Sequence, residues 1–402
     1  MKISHNSGEL GHVLGGLDPH LARVFVPWAL HHPRKLWAYG RLVRAYRHSV
    51  QVRQDDQANG VTVPPFLILS VTSRCNLTCV GCYATAVGTV HRKSIISDAP
   101  QKPPFSLDQW RGVIREARDL GVFGFIIAGG EPFMLPGLLS LCSEFRDQIF
   151  VIFTNGTAIK DADFSLLRRL PNVVVVVSIE GSEDMTDLRR GQGVHAKALA
   201  TLDRLTRAGV VSGISVTVSR LNYAYWMDPA HVDALIAQGV RFGFFIEFIP
   251  SSPQIHSIDS ALPSVSRLGE EASMLSPDER ASFRQQILEY RASKFIYLIH
   301  SPGDEELVGG CISAGRGFAH VTPDGDLTPC PVSNIATHNL ATASLREGLQ
   351  SPLFKIIRDS EHLLETGETP CALFAHPEEV AAIAKSIGAY RTGAAKHNPL
   401  AA

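Results

Sequence analysis

The chain alternates short apolar runs with segments of helical periodicity, and this alternation restricts the folds that it can adopt. Five consecutive valines at residues 173–177 are typical of a parallel strand buried on both faces. The clearest helical period is Leu107–Leu120, with Ser106 as a predicted N-cap. The predicted strands are Phe66–Val71, Phe123–Ala128, Phe150–Thr154, Val173–Ile179, Gly213–Val218 and Phe242–Ile249. These repeats predict an α/β fold, a partial (β/α)6 TIM-like barrel, whose functional residues follow the carboxyl ends of the strands.

The composition excludes several classes of function. The chain has 402 residues, of which 45% are hydrophobic, enough for one large core and one or two smaller units. A net charge of −1 gives no general attraction to nucleic acid, so we expect no nucleic-acid partner. The N-terminus lacks the pattern of a signal peptide, and no run reaches the roughly 18–20 apolar residues of a membrane span. Seven cysteines, an odd number, argue against a disulfide framework and predict a cytoplasmic location.

The pattern divides the chain into five segments. They are an N-terminal helical, basic amphipathic segment (1–64), the barrel (65–250), a linker and helix (251–300), a small cysteine-containing unit (301–390) and a disordered tail (391–402). In the N-terminal segment, arginines alternate with leucines and with Trp28 and Trp37. Two interpretations stay open for it: a helix packed on the barrel with a solvated basic face, or a helix that contacts a membrane surface.

The first predicted strand is followed by three closely spaced cysteines, Cys75, Cys79 and Cys82. Three thiolates within so short a loop suit a metal centre better than a disulfide. A [4Fe-4S] cluster normally takes four protein ligands, so three ligands from one loop leave one iron open to bind and activate another molecule. The alternative is a structural zinc site, which needs a fourth ligand, and His91 is the only candidate within ten residues.

Polar motifs also follow the next three predicted strands. The sequence GGEP at residues 129–132 follows the second, where glycines let a ligand approach the backbone and a carboxylate can hold an amine. The sequence TNG at residues 154–156 ends the third. After the fourth, Glu180 can take two ribose hydroxyls, and Ser178 with Arg190 can hold a carboxylate. Each motif is weak alone, but their order suits one cofactor lying across a barrel mouth.

These motifs together resemble the radical S-adenosylmethionine (SAM) superfamily, over about residues 66–250. The spacing C-x3-C-x2-C followed by an aromatic residue is part of the resemblance, which implies that Cys75, Cys79 and Cys82 bind the SAM cluster. Glu180 stands where Asp is also common, and Thr186 stands where many members carry His. The implied SAM contacts are Tyr83, Gly129, Gly130, Glu131, Asn155, Ser178, Glu180 and Arg190.

The resemblance also implies an activity. Members of the superfamily use a [4Fe-4S] cluster and SAM, take one electron from a donor such as flavodoxin or ferredoxin, and cleave SAM reductively to a 5′-deoxyadenosyl radical. That radical abstracts hydrogen from a substrate, here unidentified: a peptide, a small molecule such as a cofactor or tetrapyrrole precursor or a sugar, or a lipid. The alternative is a non-catalytic iron–sulfur or zinc protein with a structural or sensing role, which predicts no SAM binding.

A second group of cysteines lies in the last hundred residues. Thirteen residues separate Cys311 from Gly325 and four separate Gly325 from Cys330, and the Asp before this glycine completes a hairpin-turn signal. This pattern resembles the SPASM/Twitch domains, small α+β domains that hold auxiliary iron–sulfur clusters. Only Cys371 follows, which favours the Twitch form with one auxiliary [4Fe-4S] cluster. Either His376 is the fourth ligand or one iron is open, and a Cys3His zinc site fits the same residues.

Overall fold

The structure is a computed structural model that describes residues 19–31, 33–90, 102–249, 273–366 and 369–392. Three features of the sequence lie mostly or wholly outside these ranges. They are His91, residues 251–272 of the predicted linker and helix, and residues 393–402 of the predicted tail.

The described residues form the following elements. The strands are β1 (Phe66–Ser70), β2 (Gly124–Ala128), β3 (Ile149–Thr154), β4 (Val173–Ser178), β5 (Val211–Val218), β6 (Phe242–Glu247), β7 (Tyr297–Ser301), β8 (Phe318–Val321), β9 (Asp326–Thr328), β10 (Ile335–Ala336), β11 (His338–Asn339) and β12 (Tyr390–Arg391). The α-helices are α1 (Pro19–Leu30), α2 (Leu36–Ala58), α3 (Tyr83–Ala86), α4 (Leu107–Asp119), α5 (Leu138–Glu144), α6 (Asp161–Leu167), α7 (Glu183–Arg190), α8 (Val194–Arg207), α9 (Tyr223–Met227), α10 (Pro229–Ala237), α11 (Pro277–Ser293), α12 (Leu345–Leu349), α13 (Pro352–Asp359), α14 (Ala372–Ala375) and α15 (Pro377–Ser386).

One sheet organises these elements. Its ten strands lie in the order β11-β9-β8-β1-β2-β3-β4-β5-β6-β7. Strands β1 to β7 run parallel, each paired with the next. The six predicted strands are present as β1–β6, so the predicted α/β class with a barrel-type parallel sheet is confirmed. All the carboxyl ends of β1–β7 therefore lie at one edge, where the predicted motifs meet.

The main core lies between this sheet and the helices on one of its faces. Helix α4 begins at the predicted N-cap, because the Ser106 side chain accepts a hydrogen bond from the Gln109 amide in a capping box. Its apolar stripe buries Trp110 and Ile114. Alternate strand residues such as Phe125 belong to the same buried cluster. The period of two along the strands sends their other side chains to the opposite face.

A smaller apolar cluster fills that opposite face. Val151, Val176 and Phe242 are buried there, and Phe25 of helix α1 packs against them. Arg23 fixes the same helix by donating to the carbonyl oxygen of Ala292, at 2.7 Å, in the last turn of α11. Helix α1 is therefore part of the packed structure and packs against this second face of the sheet.

The sheet continues beyond the barrel predicted to end at residue 250. Strand β7 pairs with β6, and β8 pairs in parallel with β1 on the other side. Strand β9 then forms the predicted hairpin with β8, turning at Gly325, which has a φ of +90°. The added strands have three to five residues. The pairings of β7 with β6 and of β8 with β1 join distant parts of the chain, so a local sequence pattern does not predict them.

Two expectations about the ends of the chain can be compared with the structure. The tail does not begin at residue 391, because Tyr390–Arg391 pairs antiparallel with Ile335–Ala336. Of the segment predicted to be helical, the structure describes helices α1 and α2, which leave Leu30 and Trp37 mostly exposed. Among the described helices none is both long enough and apolar enough to span a bilayer. Membrane-surface contact through this segment stays a prediction.

Trp110→Ala should lower the free energy of unfolding by about 3–5 kcal/mol, because a fully buried indole leaves a cavity in the main core. Trp37→Ala is the matched control. Its side chain is 79% exposed, so we expect a change within about 0.5 kcal/mol. Urea unfolding followed by circular dichroism compares the two. Similar losses in both variants would contradict the assignment of the core.

Candidate cofactor site

The three cysteines of the first motif lie on a loop that follows β1 at the carboxyl edge of the sheet. Its backbone is held from two sides. The Gly130 amide donates to the Thr72 carbonyl at 2.7 Å, and the Glu131 amide donates to the Arg74 carbonyl at 2.8 Å. On the other side, the Val80 amide donates to the carbonyl oxygen of Arg189 at 2.8 Å. The loop is therefore fixed by the ends of β2 and by helix α7.

The thiols on this loop form no disulfide and are partly exposed. Burial raises the pKa of Cys75 to about 11, and the neighbouring Cys79, Glu131 and Cys82 contribute to the rise. Burial also raises the pKa of Cys79, against the effect of the two guanidinium groups that face it, on Arg190 and Arg189. These shifts describe the protein without a metal, since a bound metal deprotonates its thiol ligands.

The donor set fits an iron–sulfur cluster. Three thiols that form no disulfide lie near one another on one loop. Yet nowhere in the described ranges do three His, Cys, Asp or Glu side chains converge on one ion. A tetrahedral zinc site needs ligand sulfurs that all lie about 2.3 Å from the metal. A cluster binds each thiolate at a different iron, so its ligands stand further apart.

The two glycines of the GGEP motif bring two loops together. Gly129 has a φ of +119°, and a Cβ atom there would lie 2.5 Å from the Thr72 carbonyl oxygen. A Cβ atom on Gly130 would lie 2.1 Å from the carbonyl oxygen of Arg74. The sequence predicts that these glycines admit a ligand. In the structure the group that approaches them is the backbone of the cysteine loop itself.

Glu131 is buried below that contact, and its carboxylate is occupied by the protein. It accepts hydrogen bonds from the Thr154 hydroxyl at 2.7 Å, the Asn155 amide at 2.8 Å and the Phe133 amide at 3.2 Å. Burial raises its pKa, and these donors oppose the rise. The side chain is 1% exposed, so it positions the loop rather than facing the open cleft.

Asn155 also fixes the cysteine loop. Its side-chain amide donates to the Asn76 side-chain oxygen at 2.9 Å, and Asn76 donates to the Thr157 hydroxyl at 2.8 Å. The Thr157 hydroxyl in turn donates to Asn155 at 2.7 Å. Sequence reasoning missed Asn76 and Thr157. The signal for Asn76 was its position directly after Cys75.

The fourth motif forms a buried ionic group. The Glu180 carboxylate accepts from Arg189 Nη1 at 2.7 Å and Arg190 Nε at 2.8 Å, and its second oxygen accepts from the Thr217 amide at 3.0 Å. Ser178, at the end of β4, shares a 2.8 Å hydrogen bond with Ser215 on β5. Sequence reasoning missed Arg189, whose guanidinium also donates to the Gly81 carbonyl at 3.4 Å. The adjacent arginines were the available signal.

A polar cleft of about 360 Å³ opens between these elements. Arg190 and Lys197 provide its positive charge, and Thr157 lies in its wall. Residues 76–78 of the cysteine loop line the opposite side. Tyr83 follows the third cysteine as the first residue of α3, half-buried, and burial raises the pKa of its phenol. The cleft is therefore next to the thiols and can accept an anionic group.

The second cysteine group also assembles. Cys330 and Cys371 are buried and Cys311 is partly exposed, and burial raises the pKa of Cys330, with Cys371 and Cys311 adding to the rise. His376 packs edge-on against His362, with ring centroids 5.7 Å apart. These three thiols too are side by side without converging on one ion. They fit a second iron–sulfur cluster.

A chain of buried hydrogen bonds joins this group to β1. Thr328 donates to the Cys330 carbonyl at 3.1 Å, so its hydroxyl accepts from His320 Nδ1 at 2.7 Å. His320 Nε2 is then the acceptor for the Ser70 hydroxyl at 2.8 Å. Burial lowers the pKa of His320 to about 3, in agreement with this neutral tautomer. Ser70 is the last residue of β1, immediately before the first cysteine loop.

Three thiols lie at the carboxyl edge of a parallel, barrel-type sheet. This arrangement is typical of proteins that bind an iron–sulfur cluster at a barrel mouth. Residues 69–228 match the family model described as Radical SAM superfamily. The match covers less than half of the chain, and in this part the chain is similar to the superfamily, as the sequence resemblance indicated. Proteins of the superfamily use a [4Fe-4S] cluster and SAM.

Several known proteins are similar to the chain. The sporulation killing factor maturation protein SkfB of Bacillus subtilis is 29% identical over 188 residues, 46% of this chain and 42% of SkfB. The match thus spans less than half the length of that relative. The AdoMet-dependent heme synthase of Methanosarcina barkeri is 23% identical over 75% of this chain and 86% of its own length. Streptococcus suis SuiB bound to its precursor peptide SuiA shares the fold, with a TM-score of 0.59, 16% identity and coverage of 78% of this chain and 70% of SuiB.

Gly130→Ala should destabilise the metal-free protein by about 1–3 kcal/mol, because the added Cβ forces the cysteine loop away from the end of β2. Gly112→Ala is the control. It lies inside helix α4 with nothing within 4 Å of the added atom, and should be stabilising by up to about 1 kcal/mol. Thermal unfolding measures both. Equal stability of the two variants would contradict the close loop packing.

Proposed function

We propose that this protein is a radical SAM enzyme with an auxiliary cluster. Its cofactors would supply reductive cleavage of SAM to a 5′-deoxyadenosyl radical, which abstracts hydrogen from the substrate. The observation that carries the proposal is the position of one thiol trio beside a cleft lined by Arg190 and Lys197 at the carboxyl edge of a parallel sheet. Cys75, Cys79 and Cys82 would hold the cluster and leave one iron for SAM.

The residues around the trio have separate tasks in this proposal. Arg189 and Arg190 face Cys79, and their positive charge would offset the negative charge of a thiolate-bound cluster. Glu131 and Asn155 would keep the cysteine loop in place through their hydrogen bonds. Gly129 and Gly130 would let the cysteine loop pack closely against the segment that follows β2.

Arg190 is the residue that we assign to the methionine carboxylate of SAM. It lines the cleft, and its guanidinium reaches Glu180. A guanidinium can keep one carboxylate partner while its remaining N–H groups donate to another. Glu180 would orient it, and would offer its remaining acceptor sites to the ribose hydroxyls. Ser178 and Tyr83 would complete the pocket from β4 and α3.

The C-terminal trio would hold the auxiliary cluster. Cys311, Cys330 and Cys371 are close enough to interact electrostatically. Auxiliary clusters of this kind relay electrons or bind substrate. The relatives named above include a peptide maturation protein and a heme synthase, so peptides and tetrapyrroles are the first two substrate classes to screen.

The test is release of 5′-deoxyadenosine from SAM by anaerobically reconstituted protein with dithionite. The Cys75/Cys79/Cys82→Ala variant is the control, with iron and sulfide measured in both. We expect release only from the protein with intact cysteines, because the SAM cluster is the electron donor to the sulfonium. A loaded cluster that neither binds nor cleaves SAM would favour the non-catalytic alternative.

Arg190→Lys should weaken SAM binding by about tenfold or more, because an ammonium replaces a bidentate guanidinium and a charged hydrogen bond contributes about 1.5–3 kcal/mol. Arg204→Lys is the matched control on helix α8, where the arginine forms an exposed ion pair with Asp161. Isothermal titration with SAM under anaerobic conditions measures the affinities. Equal affinities would remove Arg190 from the SAM site.

A further inference from the structure

A buried carboxylate lies beside the second cysteine trio, and neither sequence motif includes it. Glu305 is 8% exposed and begins the 3-10 turn Glu305–Val308, six residues before Cys311. Its oxygens accept from the Ser301 hydroxyl at 2.8 Å and the Ile312 amide at 3.3 Å, and it interacts electrostatically with Cys311, whose thiol donates to the Ser313 hydroxyl at 3.3 Å.

The turn holds this carboxylate and the thiol side by side. The Gly310 amide donates to the Glu305 carbonyl at 2.9 Å, and the Cys311 amide donates to the Leu364 carbonyl at 2.7 Å. Gly310 has a φ of +92°, and a Cβ atom there would lie 2.2 Å from the Leu364 oxygen. The geometry between Glu305 and Cys311 is therefore set by the backbone.

Glu305 has no ion-pair partner in the parts of the chain that the structure describes. Arg316 is the nearby cation, and it interacts electrostatically with Cys311 and Glu305. Its guanidinium, however, donates to backbone carbonyls, including that of Cys311 at 2.5 Å. The next residue, Glu306, is partly exposed and forms a salt bridge with Arg284. A buried carboxylate is costly unless it is paired or coordinates a metal.

We propose that the Glu305 carboxylate is the fourth protein ligand of the auxiliary cluster, together with Cys311, Cys330 and Cys371. The inference rests on the proposed auxiliary cluster. Four protein ligands are the usual complement, and carboxylate oxygen is an accepted ligand for iron. The fourth ligand that the sequence suggested is His376, whose ring packs against that of His362. His362 is half exposed and forms a hydrogen bond with Glu379.

This ligand set closes the auxiliary cluster. All its irons would be held by the protein, so substrate would not coordinate there. The cluster would then serve electron transfer between the site and an external partner. The harder oxygen ligand would distinguish one iron from the other three, which gives the spectroscopic test a specific readout.

The test uses the full chain with Cys75/Cys79/Cys82→Ala, so that only the auxiliary cluster is present. It is reconstituted with 57Fe and sulfide and studied by Mössbauer spectroscopy and by EPR after reduction. In this background we compare Glu305→Gln, Glu305→Cys, His376→Ala and the matched control Glu306→Gln. Circular dichroism checks folding, and Glu305→Cys supplies a ligand if Glu305→Gln does not fold.

We expect four irons and one distinct iron site in the background protein, with no change in Glu306→Gln or His376→Ala. Glu305→Cys should keep four irons and lose the distinct site, while Glu305→Gln should lose iron or change its EPR signal. An unchanged spectrum in both Glu305 variants would overturn the assignment and leave the auxiliary cluster in place. A background protein that binds no cluster would instead overturn the auxiliary cluster itself, and Glu305 with it.

Discussion

The arrangement of the first site depends on one buried carboxylate. Glu131 accepts hydrogen bonds from Thr154 and Asn155 at the end of β3, while its own amide donates to the cysteine loop after β1. Three consecutive strand ends are thus tied through a single residue. Because the group is buried, its bonds are not weakened by competition with water. The cysteine loop, which has only the short helix α3 near its end, takes its shape from these partners.

A second ionic group continues this arrangement along the edge of the sheet. Glu180 sits between two arginines and the Thr217 amide, so positive charge is held beside Cys79. A thiolate-bound cluster is negative, and this positive charge would offset its repulsion of the carboxylate group of SAM. The site thus separates two tasks: carboxylates inside the protein hold the backbone and the arginines in place, and the Arg190 guanidinium lines the cleft.

The sequence was sufficient for the architecture and for the position of the first cysteine group at the carboxyl edge of the sheet. The valine-rich strands, the capped helix α4 and the order of motifs after the strands have local signatures, and all are present. What the sequence did not indicate depends on side-chain direction and long-range pairing. Glu131 points into the protein, Arg189 contacts Glu180 together with Arg190, and no sequence motif includes Glu305. The pairing of β8 with β1 joins residues about 250 positions apart, which no window of sequence reveals.

That pairing has a consequence for the timing of electron transfer. Since β8 is part of the same sheet as β1, and Ser70, His320 and Thr328 link the two by hydrogen bonds, Cys330, whose carbonyl accepts from Thr328, cannot move away from the barrel without breaking these contacts. The gap between the two thiol groups is set when the chain folds. Electron tunnelling across this gap would proceed at one intrinsic rate. Substrate binding would then regulate the rate of electron transfer through the driving force rather than through the distance.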